Sequence, residues 1–383
     1  MAHILSVTDS LSERAGGLSH ATLNLALSTS KKLPQHQLTV LSQQDSTEVD
    51  MSLKFLPNNL SIQKVECFRN PIFPYSPKLY EYICALNPDL IHLRGLWRQS
   101  SFVCRYWKLH HPNCKLVVQP AGMLEPWARN RNSLRKGIYY RLFESLLFDC
   151  CDAIHATSAS EAENLISVGL SPDKMFLIEE GINMPNHLQL SAPKQSHSAD
   201  KKQLLFLSRI HPKKGIELLL TSLSLLRPHN WTCVIAGMGS RAYENELIKR
   251  VKVLGLEKIV SFTGPVYGEQ KDAIFQQSHA FILPTYSENF GIAIAEAMSW
   301  GLPVITTTGT PWTALKNPAL GWYVNPNVND ISYALHGLFQ KSQIELIDMG
   351  MRCRHFVQSN FSWDTIGIKM AHQYMTMLGM SDF

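Results

Sequence analysis

Several patterns that would place the chain in a common class of protein are missing from its sequence. None of its apolar runs approaches the roughly 18 residues that a membrane-spanning helix needs. The opening residues lack a basic leader and reach Asp9 and Glu13 early, so we expect no secretory signal and a cytoplasmic protein. The eight cysteines form no C-x-x-C pair and no metal-finger spacing, which favours buried thiols in a reducing compartment over disulfides or a zinc site.

Two motifs of cofactor chemistry are absent as well. The chain contains no D-x-D sequence, the carboxylate pair with which metal-dependent sugar transfer commonly holds a divalent cation, so we expect no metal site and no cofactor. A G-x-G occurs at 237–239, but no further glycine completes G-x-G-x-x-G, which disfavours a nicotinamide dinucleotide. The net charge of +5 comes without an aromatic and basic binding module, so we expect no nucleic-acid partner. This modest charge does fit a substrate that carries phosphates.

The sequence does contain an alternation of strand-like and helix-length segments in both halves. With 383 residues, of which 45% are hydrophobic and 17% charged, the chain is long enough for two or three globular domains. Runs such as HILSVT and DLIHLRG alternate with helices over 1–185, and QLLFLSRI restarts the alternation over 203–362. This order predicts the α/β class, with parallel sheets that helices cover on both faces. We expect two doubly wound, Rossmann-like domains that face each other across a ligand-binding cleft.

Two segments lie outside this alternation. Residues 186–202 are polar, carry Pro193 and show no periodic apolar face. We interpret them as a linker between the two domains. The last stretch, 363–383, is amphipathic and long enough for a closing helix.

A pair of cations follows the first strand of the second half. In LSRIHPKKGIE, Arg209 follows an apolar strand, and Lys214 comes five residues later, just before Gly215 and a helix. A guanidinium offers a planar fork and an ammonium offers a point charge, so that together they suit a diphosphate. From this stretch alone, a solvated basic turn is an equally good interpretation.

The stretch PTYSENFGIAIAEAMSWGLPV, residues 284–304, places two carboxylates around the start of a short helix. Backbone N–H groups at a helix start are unpaired and lie at the positive end of the helix dipole, which predicts an anion-binding site. The residues of this predicted site are Asn289, Phe290, Gly291 and Ile292. Glu296 can then reach a ribose diol, and Glu288 can reach hydroxyls of a sugar beyond the phosphates. Taken singly, Glu288 could instead cap the helix and Glu296 could be an exposed helix residue, but with the basic strand end the pair favours a nucleotide-sugar.

The order of these motifs identifies a family. SRIHPKKG, AGMGS, FTGPV and PTYSENFGIAIAEAMSWGLPVI resemble, in this order, the family 4 retaining glycosyltransferases, whose most specific mark is a pair of glutamates separated by seven residues. RAGGLSHATLNLA, HLRGLW, PAGMLEPWA and FSWDTI resemble segments of members that assemble bacterial polysaccharides. The resemblance covers nearly the whole chain. It implies the GT-B fold, in which the last helix crosses back to the first domain.

The resemblance also implies roles in moving a sugar from a UDP- or GDP-linked donor to a glycan acceptor. Arg209 and Lys214 would bind the donor diphosphate. Glu288 would orient the donor sugar, and Glu296 would bind the ribose. The remaining members of the donor-binding set are Gly16, Gly17, Gly239 and Val266. Transfer would retain the anomeric configuration, and the leaving phosphate oxygen would accept the proton of the acceptor. No protein base and no metal ion would then be needed.

Three positions depart from the family's usual pattern. Ala121 in PAGML stands where histidine or arginine is frequent, and Arg94 in HLRGLW stands where a second histidine is frequent. Glu180 in EEGIN stands where asparagine is common. These departures bear on which sugar the donor carries. The residues expected on the acceptor side are His92, Arg94, Ala121 and Arg129.

Residues 129–143, RNRNSLRKGIYYRLF, combine five cations with Tyr139, Tyr140 and Phe143. As a basic amphipathic helix they could lie on an anionic membrane and meet a polyprenyl-diphosphate-linked acceptor. Alternatively, the aromatic rings pack on the sheet while the cations face water. In a third interpretation, some of the arginines line the acceptor groove and bind an acidic sugar or a pyrophosphate.

The main hypothesis is a retaining hexosyltransferase that extends a lipid-linked oligosaccharide of a surface polysaccharide such as lipopolysaccharide. A second hypothesis is a degenerate relative that binds nucleotide-sugar or glycan without turnover, which Ala121 and Arg94 support. A sugar-nucleotide epimerase or a pyridoxal-phosphate-dependent phosphorylase on the same scaffold has no marker in the sequence.

Overall fold

The computed structural model describes residues 1–11, 17–44, 56–67, 75–124, 140, 144–185, 201–227 and 230–380. Gly16, Arg129, nearly all of the basic segment 129–143 and the predicted linker up to residue 200 lie outside the described residues. By its internal contacts the chain divides into two compact units. One consists of Met1–Gly181 together with Trp363–Phe383, and the other is Ile182–Ser362.

The first unit is built on a seven-stranded parallel sheet with the strand order β3-β2-β1-β4-β5-β6-β7. The strands are β1 (His3–Thr8), β2 (Gln37–Gln44), β3 (Leu60–Glu66), β4 (Leu90–Arg94), β5 (Lys115–Gln119), β6 (Ala153–Ala156) and β7 (Met175–Leu177). The helices of its described residues are α1 (Gly17–Lys32), α2 (Lys78–Leu86), α3 (Gln99–His110), α4 (Ser145–Cys150), α5 (Ala159–Ser167) and the last helix of the chain, α12 (Trp363–Leu378). Every residue of β4 is buried, which is typical of a sheet that helices cover on both faces.

The second unit repeats this plan with a six-stranded parallel sheet in the order β10-β9-β8-β11-β12-β13. The strands are β8 (Lys202–Leu207), β9 (Trp231–Ala236), β10 (Val260–Gly264), β11 (Ala280–Leu283), β12 (Val304–Thr307) and β13 (Gly321–Val324). Its α-helices are α6 (Ile216–Leu226), α7 (Arg241–Val253), α8 (Gly268–Gln277), α9 (Ile292–Ser299), α10 (Val328–Phe339) and α11 (Gln343–Phe361). A short 3₁₀ helix, Pro212–Lys214, precedes α6, and a second one spans Thr313–Lys316.

The strand order of each sheet reverses once. In the first unit the reversal lies between β1 and β4, and in the second it lies between β8 and β11. Ligands of doubly wound folds bind outside the carboxyl ends of the strands at such a reversal. The loops after β8 and β11 therefore meet where a ligand of the second unit is expected, and they carry the two motifs that the sequence singled out.

The last helix belongs to the first unit even though it is last in the chain. Ile366, Met370 and Tyr374 of α12 are buried in one apolar cluster with Ile4 of β1 and Leu23 of α1. Burial of such side chains stabilises by about 1.5–3 kcal/mol each, so α12 is part of that unit's core. Among the helices in the described part of the chain, none combines the length and apolarity that crossing a membrane requires.

The predicted fold class, two doubly wound parallel sheets, is confirmed. The predicted bounds of the linker need a small correction, because its last residue, Lys202, already lies in β8, paired with Trp231 of β9. The Lys202 ammonium also donates a hydrogen bond to the carbonyl oxygen of Lys341, over 2.6 Å. These contacts fix Lys202 at the start of β8.

Candidate functional site

The loop after β8 brings Lys214 to the reversal of strand order in the second unit. Pro212–Lys214 forms one turn of 3₁₀ helix, which His211 caps by accepting a hydrogen bond from the N–H of Lys213. Gly215 follows in the left-handed region with φ +68°, and a Cβ at this position would lie 2.0 Å from the carbonyl oxygen of Pro284. Only glycine allows this approach. The turn therefore packs directly against the loop after β11.

In that position Lys214 forms an ion pair with Glu288, the first of the two predicted carboxylates. The side chains are only 8% and 15% exposed, so the pair is largely shielded from solvent. Burial lowers the pKa of Lys214, the Glu288 carboxylate opposes that shift, and nearby Arg209 and Lys213 reinforce it. Arg209 itself is exposed. The structure thus brings together the three predicted catalytic residues, although two of them bind each other.

Hydrogen bonds to backbone carbonyl groups hold the loop that carries Glu288. The N–H of Tyr286 and the hydroxyl of Thr285 both donate to the carbonyl oxygen of Lys213, over 2.8 and 3.0 Å. The N–H of Glu288 donates to the carbonyl oxygen of Gly309 over 2.7 Å. The Glu288 carboxylate therefore projects from a loop whose backbone is held by hydrogen bonds.

The predicted anion-binding site coincides with the start of α9. Gly291 is the N-cap with φ +80°, no side chain caps this helix end, and its first turn contains no carboxylate. The N–H groups that begin a helix lie at the positive end of its dipole, so this end is suited to an anion, although the N–H of Ile294 already donates to the carbonyl oxygen of Gly291 over 2.8 Å. The side chain of Phe290 is not available to a ligand, because its ring is buried against Trp312 and Phe361. Of this residue only the backbone can contribute.

The second predicted carboxylate, Glu296, is paired as well. The Lys271 ammonium of α8 lies 2.6 Å from Glu296 Oε1, and both side chains are about a quarter to a third exposed. Lys271 is not among the predicted site residues. Its relation to Glu296 arises only from the packing of α8 beside α9, and no local sequence pattern indicates it.

Two of the remaining predicted donor-side residues, Gly239 and Val266, follow strands of the second sheet. Gly239 follows β9, but its N–H already donates to Glu244 Oε1 over 2.6 Å, so this donor is occupied. Val266 follows β10 and is partly buried against the core of the second unit. In the first unit, Gly17 begins α1. Their roles toward a donor stay predictions.

His92 is enclosed in the first unit and does not reach its surface. It is completely buried, with Nδ1 2.7 Å from the hydroxyl of Tyr374 and Nε2 3.3 Å from Nδ1 of His155. Burial lowers the pKa of His155 to about 3 and holds that of His92 well below its usual value. Both rings are therefore neutral, and the expected contact of His92 with an acceptor has no surface on which to occur in this structure.

Arg94 is also completely buried, and its partner is Glu180, another of the three departures from the family pattern. Arg94 Nη2 lies 2.8 Å from Glu180 Oε1, which also accepts a hydrogen bond from Gln119 Nε2 over 2.9 Å. The expectation that Arg94 contacts the acceptor therefore needs correction, because Arg94 neutralises a carboxylate inside the fold. Ala121, the third departure, follows β5 in the left-handed region with φ +52° and is partly buried.

Two carboxyl groups near the carboxyl ends of β1 and β4 are absent from the predicted set. Asp9 follows β1 and accepts a hydrogen bond from the Ser100 hydroxyl over 2.8 Å, and burial raises its pKa to about 6. Glu144 accepts the N–H of Trp97 over 2.7 Å, and burial raises its pKa to about 7. The position of Asp9 directly after a strand is a signal that could have found it, whereas nothing local indicates Glu144.

Within the described part of the chain, no group of three or more His, Cys, Asp or Glu side chains is placed to hold a metal ion.

Comparison with known proteins agrees with this arrangement. A family model described as "Glycosyltransferase Family 4" matches residues 15–184, and one described as "Glycosyl transferases group 1" matches residues 189–340. Together the two models cover most of the chain. The chain therefore belongs to the family 4 glycosyltransferases of the GT-B fold, and it is a glycosyltransferase.

Individual relatives are distant but extend over long stretches. A GDP-mannose:cellobiosyl-diphosphopolyprenol alpha-mannosyltransferase of Komagataeibacter xylinus is 24% identical over 98% of this chain and 93% of the relative. An uncharacterised glycosyltransferase of Methanocaldococcus jannaschii is 29% identical over 61% of this chain and 62% of its own length.

Solved structures confirm the fold. A sucrose-phosphate synthase from Thermosynechococcus elongatus superposes with a TM-score of 0.77 at 19% identity over 100% of both chains. Anabaena HepE, solved in complex with UDP and glucose, superposes with a TM-score of 0.74 at 18% identity over 98% of this chain and 100% of that chain.

Proposed function

We propose that the protein transfers a sugar, with retention of the anomeric configuration, from a nucleotide-sugar to a glycan carried on a polyprenyl diphosphate. One observation carries the proposal. The Lys214–Glu288 ion pair lies beside the uncapped start of α9, at the reversal of strand order in the second sheet. This arrangement offers a cation and the N–H groups of a helix start to an anion, and a carboxylate to hydroxyl groups.

The donor diphosphate would be held by the Arg209 guanidinium, the Lys214 ammonium and the N–H groups at the start of α9. The Lys214 ammonium and the N–H groups are held in place before the reaction and act on the charge that develops on the leaving diphosphate, which is an effective way to stabilise a transition state. No metal ion is required to neutralise that charge. This metal-free mechanism is part of the proposal.

The two carboxylates would bind the hydroxyl-rich ends of the donor. A carboxylate has about four lone-pair sites, so Glu288 can hold Lys214 and still accept hydrogen bonds from the donor sugar. Glu296 would accept hydrogen bonds from the ribose diol, and its ion pair with Lys271 orients the carboxylate. Gly239 and Val266 would line the nucleoside.

In the reaction, an acceptor hydroxyl attacks the anomeric carbon from the face on which the phosphate leaves. The bond between the anomeric carbon and the phosphate oxygen breaks, and the leaving diphosphate takes the proton of the hydroxyl. The protein then serves to position both substrates and to stabilise charge.

The acceptor is proposed from the relatives. Three of them, including the Komagataeibacter enzyme, carry names that specify GDP-mannose as donor and a cellobiosyl-diphosphopolyprenol as acceptor. The complexes of Anabaena HepE contain UDP or UDP-glucose. We therefore propose a GDP- or UDP-linked hexose as donor and an acceptor linked to polyprenyl diphosphate in surface polysaccharide assembly. A cytoplasmic protein bound peripherally to the membrane fits such an acceptor.

The alternative of a degenerate relative without turnover loses part of its support. Arg94 was one of its two markers, and the structure accounts for Arg94 through its pairing with Glu180. Ala121 alone remains.

The test is a screen of UDP- and GDP-sugars for thermal stabilisation, followed by a transfer assay with and without EDTA. A ligand at 100 times its dissociation constant stabilises by about 2.7 kcal/mol. The variant Glu288→Gln should lower kcat by about 100-fold, because the donor sugar loses a carboxylate that orients it and Lys214 loses its partner. Glu257→Gln, at an exposed turn, is the matched control.

Three results would contradict the proposal: no stabilisation by any nucleotide-sugar, transfer that EDTA abolishes, or a product whose anomeric configuration, measured by NMR, is inverted relative to the donor.

A further inference from the structure

Two residues at one end of the first sheet have a backbone conformation that is unusual for their type. In the described part of the chain, four residues other than glycine have a positive φ. Asn87 and Arg227 are the C-caps of α2 and α6, where this conformation is common. Trp97 and Ala121, with φ +70° and +52°, instead lie in the loops that follow β4 and β5. For a side chain as large as that of Trp97 the conformation is strained, and such strain clusters at functional sites.

The two loops lie side by side, next to the reversal of strand order in the first sheet. Strands β4 and β5 are neighbours that end in register, with Arg94 opposite Gln119. The N–H of Leu96 in the first loop donates to Sδ of Met123 in the second over 3.1 Å. Because the reversal lies between β1 and β4, both loops belong to the end of the sheet at which doubly wound folds bind their ligands.

A buried glutamate holds each of these loops. Glu144, which precedes α4 and is completely buried, accepts the N–H of Trp97 at Oε1 over 2.7 Å. Glu161, in the first turn of α5 and only 2% exposed, accepts the N–H of Gly122 at Oε1 over 2.5 Å. Each carboxylate fixes the backbone at or next to a strained residue. The two loops are therefore held in one conformation before any ligand binds.

The side chains beside Trp97 carry one charge of each sign. Arg98 is the next residue, and its Nε lies 3.6 Å from Oδ2 of Asp9, which follows β1. These two side chains are 46% and 27% exposed, and Trp97 is partly exposed. The balanced pair suits a neutral ligand with hydroxyl groups, since Arg98 donates hydrogen bonds and Asp9 accepts them. An indole ring adds an apolar face for the C–H groups of a sugar.

We propose that Trp97 packs against a sugar ring of the acceptor glycan and that Glu144 is the residue that positions Trp97. The inference rests on the proposed function, because the glycan acceptor supplies the sugar ring. It deepens that function by assigning an acceptor contact to the first unit, where the expected contacts of His92 and Arg94 do not occur. The two rings meet through their apolar faces, and hydroxyl groups at the rim of the sugar meet the neighbouring charged pair.

The test measures steady-state transfer by the full-length protein to a short-chain polyprenyl diphosphate that carries cellobiose. Trp97→Leu should raise the KM for this acceptor about tenfold, the loss of one aromatic contact, and should leave the KM for the donor within about twofold. Trp322→Leu, at a partly buried tryptophan of the edge strand β13, is the matched control and should change neither KM. Circular dichroism and the melting temperature check that both variants fold.

The positioning role of Glu144 is tested through Trp97. Glu144→Leu removes the group that accepts the Trp97 N–H and should raise the acceptor KM as much as Trp97→Leu does. Glu144→Gln keeps an oxygen that accepts this N–H and should stay within about twofold of the wild type. The double variant Trp97→Leu, Glu144→Leu should resemble Trp97→Leu alone, because Glu144 acts through the indole.

Tryptophan fluorescence follows acceptor binding independently of turnover. Addition of the acceptor should change the emission of the wild type and leave that of Trp97→Leu unchanged. Thermal stabilisation by the nucleotide-sugar is measured on the same preparations. Its absence in the wild type would contradict the proposed function, whereas the fluorescence change reports on the contact of Trp97 by itself.

Four outcomes would overturn the inference. An unchanged acceptor KM in Trp97→Leu, an emission change that Trp97→Leu retains, or no emission change in the wild type would each remove Trp97 from the acceptor site. A further rise in the acceptor KM when Glu144→Leu is added to Trp97→Leu would show that Glu144 does not act by positioning Trp97.

Discussion

At the residue scale, the presence of Arg94 accounts for the presence of Glu180, and the reverse is also true. Each departs from the family pattern at its own position, and 86 residues separate them in the chain. In the fold they form one ion pair, with the arginine completely buried and the glutamate side chain 10% exposed. Removing one partner of such a pair leaves an uncompensated buried charge, which is far more costly than removing both.

We predict that Arg94→His and Glu180→Asn each lower the free energy of unfolding by about 3 kcal/mol, because each leaves the other charge unpaired. The double variant should lose at least about 1 kcal/mol less than the sum of the single variants. Urea unfolding measures all four proteins. The exposed pair Arg352–Asp348 provides the control cycle, in which the losses of the two single variants should be additive. Additive losses at Arg94 and Glu180 would show that the two residues act separately.

The buried histidines give a dependence of stability on pH. Burial lowers the pKa of His155 in the folded protein to about 3, against about 6.5 in the unfolded chain. The unfolded chain therefore binds the proton first, and the contribution of His155 to stability is lost as the pH falls through 6.5 toward 3. Asp9 and Glu144 act in the opposite direction, because burial raises the pKa of both and the folded protein binds their protons first.

We expect this dependence to appear as a difference between variants. From about pH 7 to about pH 5 the wild type should lose about 2 kcal/mol more stability than His155→Gln, since the acids contribute equally to both proteins. Urea unfolding at the two pH values checks this. His355→Gln, at an exposed histidine, should behave like the wild type. An identical pH dependence of wild type and His155→Gln would mean that His155 is not held neutral.

At the scale of elements, the turn Pro212–Lys214 packs directly against the loop after β11. Gly215 lies between the 3₁₀ turn and α6, in the left-handed region and against the carbonyl oxygen of Pro284. Any side chain there would separate the two loops. The ion pair between Lys214 and Glu288 depends on this contact.

We predict that Gly215→Ala lowers the free energy of unfolding by about 3 kcal/mol, of which about 1 kcal/mol is backbone strain and the rest displacement of the loop. It should also weaken stabilisation by the nucleotide-sugar. Gly255→Ala is the matched control, because Gly255 has φ +65° but nothing within 4 Å of the new Cβ. Denaturation and thermal-shift measurements compare the two. Equal losses in both variants would show that only the backbone conformation matters at Gly215.

At the scale of the whole molecule, the chain returns to its first unit after completing the second. Trp363–Phe383 belongs to the unit that begins at Met1. Met370 of α12 is completely buried in the cluster that includes Ile4 of β1. The stability of the N-terminal sheet therefore depends on residues at the other end of the chain.

Hydrogen exchange can test this dependence directly. Met370→Ala should destabilise by about 2–5 kcal/mol through loss of burial and the cavity left behind. Amides of β1 and β2 should lose protection, whereas amides of β8 and β9 should not, since they lie in a separate core. Met351→Ala, at a residue that is 54% exposed on α11, is the control and should change neither set. Equal loss of protection in both sheets would argue against two separate cores.

The candidate site was predictable only in part. Arg209, Lys214, Glu288 and the start of α9 follow from local patterns, because a strand end, a helix start and a basic turn are features of neighbouring residues. The proximity of these features could be predicted from the parallel order of the strands. The ion-pair partners of the side chains could not be predicted from the sequence. The ion pair of Lys271 with Glu296 joins residues 25 apart, and that of Lys214 with Glu288 joins residues 74 apart.

By itself, the sequence determined the α/β class, the two parallel sheets and the motifs of the candidate site, because apolar periodicity and the chemistry of strand and helix ends are local properties. Only the tertiary structure decided that His92 and Arg94 lie inside the fold and that Phe290 contributes its ring to a core. The physical reason is burial. Whether a side chain meets solvent, a partner or an apolar core depends on segments far apart in the chain, and no local pattern specifies which of these segments come together.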